Sequence, residues 1–67
     1  MILNKAQVKD RLLMGRPVYA MLWANSFFAV DNKPTKKRVI GLNGSWVKVI
    51  DMDKKIPTNH FAEYTDN

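Results

Sequence analysis

Residues 36–51 read KKRVIGLNGSWVKVID, two runs rich in β-branched side chains joined by Asn43 and Gly44. An Asn-Gly pair between alternating apolar runs is a strong hairpin signal, because a two-residue type I′ turn needs positive φ at both central positions. Pairing outward from a turn at 43–44 sets Leu42 opposite Ser45, Gly41 opposite Trp46, Ile40 opposite Val47, Val39 opposite Lys48 and Arg38 opposite Val49. Side chains alternate across a strand, so Ile40, Leu42, Val47 and Val49 share one face, the expected core face. Lys37, Val39, Trp46, Lys48 and Ile50 fall on the other, half apolar and half cationic, with the Trp46 ring set to cover the gap at Gly41.

Upstream, residues 17–31 read PVYAMLWANSFFAVD, longer than an ordinary strand and interrupted by Asn25 and Ser26. Two strands meeting at a turn fit this length better than one bulged strand. Alternation puts Val18, Ala20, Leu22, Phe28 and Val30 on one face and Tyr19, Met21, Trp23 and Phe27 on the other, so both faces are apolar. The loop that follows, through Pro34, crowds Lys33, Lys36, Lys37 and Arg38 at its exit. Further upstream, residues 4–14 carry the marks of a helix. Asn4 is a good N-cap, Gln7 completes a capping box, and Leu3 and Val8 hold the positions of a hydrophobic staple. Gly15 and Pro17 then end it. Lys5, Lys9, Arg11 and Arg16 are expected at the helix margin, their stems lying over apolar surface.

Downstream, Asp51 to Lys54 read as a turn, and KKIPT as a short edge strand, since Pro57 is excluded from a central one. Residues 59–67 read as a tail whose single helical turn sets Phe61 and Tyr64 on the same side. The expected architecture is a single α+β domain over 1–67. A short N-terminal helix at 4–14 precedes a small antiparallel β-sheet of about four to five strands across 17–58, or an SH3-like partly open barrel.

At 67 residues the chain is near the lower limit for a self-sufficient core, and it has no cysteine to cross-link it or to bind metal as thiolate. Its hydrophobic content of 46% is too high for a disordered chain. The start MILNKAQ lacks the parts of a signal peptide, and no apolar run nears the roughly 18 residues of a membrane span, so a cytoplasmic location with no membrane partner is expected. Residues 1–50 hold nine basic and two acidic side chains (9 − 2 = +7), while residues 51–67 hold two basic and four acidic (2 − 4 = −2). A basic body suits a polyanion, most often nucleic acid.

Enzymatic constellations are missing. His60 has no cysteine beside it, Ser26 and Ser45 stand in turns without a nucleophile-elbow pattern, and there is no phosphate-binding glycine loop. Asp51 and Asp53 lack the further oxygen ligands of a calcium loop. No catalytic residue, metal or cofactor is expected. What remains is aromatic and basic together: Tyr19, Trp23, Phe27 and Trp46 with Lys36, Lys37, Arg38 and Lys48. Single-stranded nucleic acid is held by a cationic groove with rings on which bases stack. The competing explanation for the rings is that a small core needs large side chains to fill it.

Two functions follow. The first is a small non-enzymatic accessory protein that binds nucleic acid, single strands foremost, through this aromatic and basic sheet face. The second is a protein-binding inhibitor or regulator, of the size phages encode, that docks on a larger host protein through the apolar surplus of 17–31. The same surplus also leads to the expectation of a homodimer.

Overall fold

A computed structural model describes residues 1–67. After a two-residue strand β1 (Ile2–Leu3), the helix α1 (Lys5–Leu13) starts and stops where side-chain chemistry dictates. The Gln7 N–H donates to the Asn4 side chain at 2.8 Å, and the Asn4 N–H donates to the Gln7 side chain at 2.9 Å, closing the capping box. At the other end Gly15 takes φ +71°, with its N–H on the Leu12 carbonyl and the Arg16 N–H on the Arg11 carbonyl. This Schellman ending needs the left-handed backbone that glycine adopts without strain. Leu3 and Val8, the staple residues, are both in the core.

Five further strands follow: β2 (Tyr19–Leu22), β3 (Thr35–Leu42), β4 (Trp46–Val49), β5 (Ile56–Pro57) and, after a 3₁₀ turn at Thr58–His60, β6 (Phe61–Thr65). They form one antiparallel sheet in the order β1-β6-β2-β3-β4-β5, six strands instead of the four to five expected. The sheet is open. Its two edges, β1 and β5, are two residues each and do not pair with one another, so the SH3-like barrel is not formed. No helix is long and apolar enough to cross a membrane.

The long β3 organises the sheet, pairing with β2 through its first half and with β4 through its second. Against β2, Lys37 faces Ala20 and the Val39 N–H reaches the Val18 carbonyl, which turns Val39 inward. Leu42 also packs on the core. Positions 39 and 42 can share a face only if one residue is added between them, and Ile40 is that residue. The ladder runs Val39 to Val49 and then Gly41 to Lys48, leaving Ile40 unpaired in a bulge. The expected core face is therefore corrected: Val47 and Val49 are buried, but Val39 takes the buried place assigned to Ile40, which is half exposed beside Leu12 and Leu13.

The same register moves the hairpin turn. Leu42 pairs with Val47 and the Asn43 N–H donates to the Trp46 carbonyl, so the two-residue loop is Gly44–Ser45, not Asn43–Gly44. Neither Asn43 nor Gly44 takes positive φ. The Gly44 carbonyl is held by the Lys5 ammonium at 3.3 Å and the Thr58 hydroxyl at 3.5 Å. Consecutive positive φ angles occur instead at Asp31 (56°) and Asn32 (53°), closed by the Lys33 N–H on the Val30 carbonyl. That turn ends a run of turns over residues 23–34, where a second strand was expected.

Residues 61–65 are a further correction. The expected tail is an inner strand, β6, inserted between β1 and β2. Met21 pairs with Glu63 and Leu22 with Phe61, so Ala62 is bulged. The bulge turns Phe61 and Tyr64 to the same side, both buried, with ring centroids 6.1 Å apart. The spacing that looked helical comes from a strand.

The core is small and mostly aliphatic: Leu3, Val8, Val18, Ala20, Leu22, Val39, Val47, Val49 and Ile56, with Phe61 and Tyr64 the only rings. Every strand contributes, and α1 covers this inner face through Val8, with Leu12 packed alongside. Buried apolar area of this kind stabilises by roughly 25 cal/mol per Å². The Tyr64 hydroxyl is buried without a hydrogen-bond partner, and burial pushes its pKa up.

Candidate nucleic-acid interface

The face of the sheet opposite α1 is built by alternation from the same strands. With Ala20 and Leu22 turned in, Tyr19 and Met21 turn out, and their partners across the ladder, Arg38 and Lys36, turn out with them. On β4, Val47 and Val49 point in, so Trp46 and Lys48 point out, followed by Ile50, whose N–H bonds the Arg38 carbonyl. Thr65 and Glu63 lie opposite Tyr19 and Met21 on the other side. Five of the residues singled out by sequence, Tyr19, Lys36, Arg38, Trp46 and Lys48, thus share one face.

Their contacts differ. The Lys36 ammonium lies over the Tyr19 ring, 4.7 Å from its centroid, and the Lys55 ammonium lies at the same distance over Trp46. Both are cation–π contacts that keep a positive charge on the face of a ring. Trp46 covers Gly41 as expected, but diagonally: Gly41 pairs with Lys48, and a Cβ there would lie 3.6 Å from the indole. Arg38 is exposed and makes no ion pair. Lys48 donates to the Asp53 carbonyl at 3.0 Å.

Lys37 does not belong to this face. It stands opposite Ala20 on the inner side, and its ammonium meets the Asp51 carboxylate at 2.6 Å. That hydrogen bond holds the Asp51 carboxyl below its ordinary range. The expectation that Lys37 projects beside Trp46 fails because Lys37 and Val39 share a parity that β2 fixes. Trp23 continues the Tyr19–Met21 row one step past β2, with its N–H on the His60 carbonyl and 52% of its surface exposed. Phe27 stands apart on the following loop, 88% exposed, with its ring edge-on to Phe28 at 5.5 Å.

Two features were missed from sequence. Lys55 reaches Trp46 because β5 pairs with β4, Trp46 facing Pro57; reading KKIPT as an edge strand beside Trp46 was the signal. Ser26 and His60 meet at 2.9 Å between Oγ and Nδ1, brought together by the pairing of β2 with β6, for which no local signal exists. No three His, Asp or Glu side chains gather into a group able to hold a metal. The chain matches no known protein family, no curated protein and no solved structure.

Proposed function

We propose that the protein binds single-stranded nucleic acid across the outer face of its sheet. The observation that carries this reading is the division of ring from core. The interior is filled by aliphatic side chains plus Phe61 and Tyr64, while both tryptophans and Tyr19 stay outside it. A path from Trp46 past Lys48, Arg38, Tyr19 and Lys36 to Trp23 runs diagonally over β4, β3 and β2. At about 3.3 Å per residue and 4.8 Å per strand it covers roughly 25–30 Å, room for a few nucleotides. The molecule's longest extent is 32 Å. Lys36 and Lys55 already sit over rings, so each can swing to a phosphate as a base takes its place. Arg38, without an acidic partner, supplies a third contact.

The test is affinity for short labelled DNA and RNA single strands over a range of salt. Phosphate contacts release counterions, so log affinity falls linearly with log salt, by about 0.7 per contact on a single strand. Trp46→Ala, once shown to fold, is expected to weaken binding by roughly 1–3 kcal/mol while leaving that slope in place. No binding at low salt overturns the reading.

A second reading, docking on a larger protein, has its own observation. Leu13 (87% exposed) ends α1 and Met14 (63%) follows it, and Leu13 borders a hollow with Lys9 and Leu12 of the helix and with Ile40 (49%) and Leu42 of β3. With Lys9 and Arg16 near its rim, this patch favours an acidic, amphipathic segment of another protein. A partner retained after nuclease treatment and lost in Leu13→Asp is the result that reading expects.

A further inference from the structure

Beyond the end of β2, the turn after Trp23 and the 3₁₀ turn before β6 flank an open hollow of about 190 Å³ lined by Trp23, Asn25, Ser26, Asn59 and His60. No lysine, arginine or carboxylate lines it, so the hollow lacks the fixed cations that hold a phosphate. Its chemistry is one exposed indole beside neutral donors and acceptors. The His60 ring is fixed in place: Nδ1 meets Ser26 Oγ at 2.9 Å, that oxygen also accepts the Phe28 N–H at 3.2 Å, and the Phe28 ring lies 5.7 Å from the imidazole. Nε2 is left as the imidazole's unused polar atom. The Asn25 and Asn59 amides make no hydrogen bond within the chain.

We propose that this hollow takes one unpaired nucleobase, stacked on Trp23 and hydrogen-bonded along its edge by the Asn25 and Asn59 amides and the free nitrogen of His60. The inference rests on the single-strand reading for its context, since Trp23 ends the path of rings and cations over the sheet, about 13 Å along β2 from Tyr19. A strand held by Tyr19, Lys36 and Arg38 delivers a base there. Single-stranded bases are read on their exposed edges by such groups, and an asparagine amide offers the donor and acceptor pair that spans N6–H and N7 of adenine. Adenine is therefore the expected occupant.

The experiment uses nucleosides, which carry no phosphate and so do not depend on the basic row. In a Trp46→Phe variant, Trp23 is the sole indole, and its fluorescence is followed as adenosine, cytidine, uridine or guanosine is added. Saturable quenching, tightest for adenosine, is expected. Asn25→Ala with Asn59→Ala is expected to weaken it about 5- to 140-fold, the range for a bidentate amide contact. Both asparagines are exposed, so these variants should fold. Quenching that does not saturate, or that the double asparagine variant leaves unchanged, overturns the pocket, as does equal binding of a free hexose detected by calorimetry. Should oligonucleotides bind with the expected salt slope while adenosine does not, the pocket fails and the proposed function stands. Saturable adenosine binding without oligonucleotide binding supports the pocket and removes the proposed function.

Discussion

The two faces of the sheet are made from the same strands by opposite rules. On the inner face stand Val18, Ala20, Leu22, Val39, Val47 and Val49, aliphatic residues that share one core with Val8 of α1. On the outer face stand Tyr19, Met21, Lys36, Arg38, Trp46 and Lys48, large or charged residues that no helix covers. A chain this short has difficulty filling its core, yet it keeps both tryptophans out of it. Ring size is thus no guide to burial here; strand parity is. The inner face explains why the domain holds together, and the outer face is left uncovered.

Paired substitutions on neighbouring residues of β2 separate the faces most strongly. Leu22→Ala is expected to lose about 2–5 kcal/mol in urea denaturation, a large part of the roughly 3–10 kcal/mol typical of this length, whereas Met21→Ala loses about 1 kcal/mol or less. Equal losses would erase the distinction between faces.

The inner face has one misfit, the unpartnered Tyr64 hydroxyl. Tyr64→Phe is expected to raise stability by about 1 kcal/mol, because it removes a buried polar group that makes no hydrogen bond. The pH dependence has a definite sign. Burial raises the folded-state pKa of Tyr64, so its contribution is complete below the unfolded tyrosine value and is lost as pH climbs above it. The phenylalanine variant should lack that alkaline loss, which denaturation at several alkaline pH values would reveal.

A smaller gain is expected on the outer face. A Cβ at Gly41 would rest 3.6 Å from both the Trp46 ring and Lys48, an ordinary contact, and Gly41 does not take positive φ. Gly41→Ala should then stabilise by about 0.4–1 kcal/mol through the unfolded chain, read as a rise in melting temperature. A loss would mean that Trp46 sits tighter on the strand than its contacts indicate.

The smallest effect concerns Lys37, the cation on the inner side. Its hydrogen bond depresses the Asp51 pKa, so whatever the pair contributes is present above the unfolded carboxylate value and disappears as pH falls through the folded one. In Lys37→Gln the Asp51 carboxyl should titrate at higher pH by NMR, with little change in overall stability because the carboxylate is exposed. An unmoved titration would remove Asp51 as its partner.

How much was legible varied with the distance over which each signal acts. The helix ends were readable because Asn4, Gln7 and Gly15 act within one turn, and the division of Val18 to Trp23 into two faces was readable because alternation acts between neighbours. Pro57 marked an edge strand for the same local reason. The position of β6 was not readable, since its partners in β1 and β2 lie far away in sequence and the Ala62 bulge gives Phe61 and Tyr64 a helix-like spacing. At residues 39–42 the Asn-Gly signal lost to the demand that Val39 and Leu42 both face inward. Of the candidate site, the outward set on β4 was visible in the alternation, and on β2 the division into two faces was visible but not which of them is buried. The place of Lys37 was not, because the pairing of β3 with β2 decides it.

The central claim, that the outer face alone carries the binding, is tested most directly by two double variants. Lys36→Gln with Arg38→Gln removes cations of the outer face; Lys9→Gln with Lys37→Gln removes equal charge from α1 and from the inner side of β3, where the Lys37 ammonium is already bonded to Asp51. The quantity measured is the slope of log affinity against log salt for one short single strand. The slope should fall by about 1.4 in the first variant and stay within error of the parent in the second. Equal falls in both would contradict the account, since net charge and not this face would then govern binding.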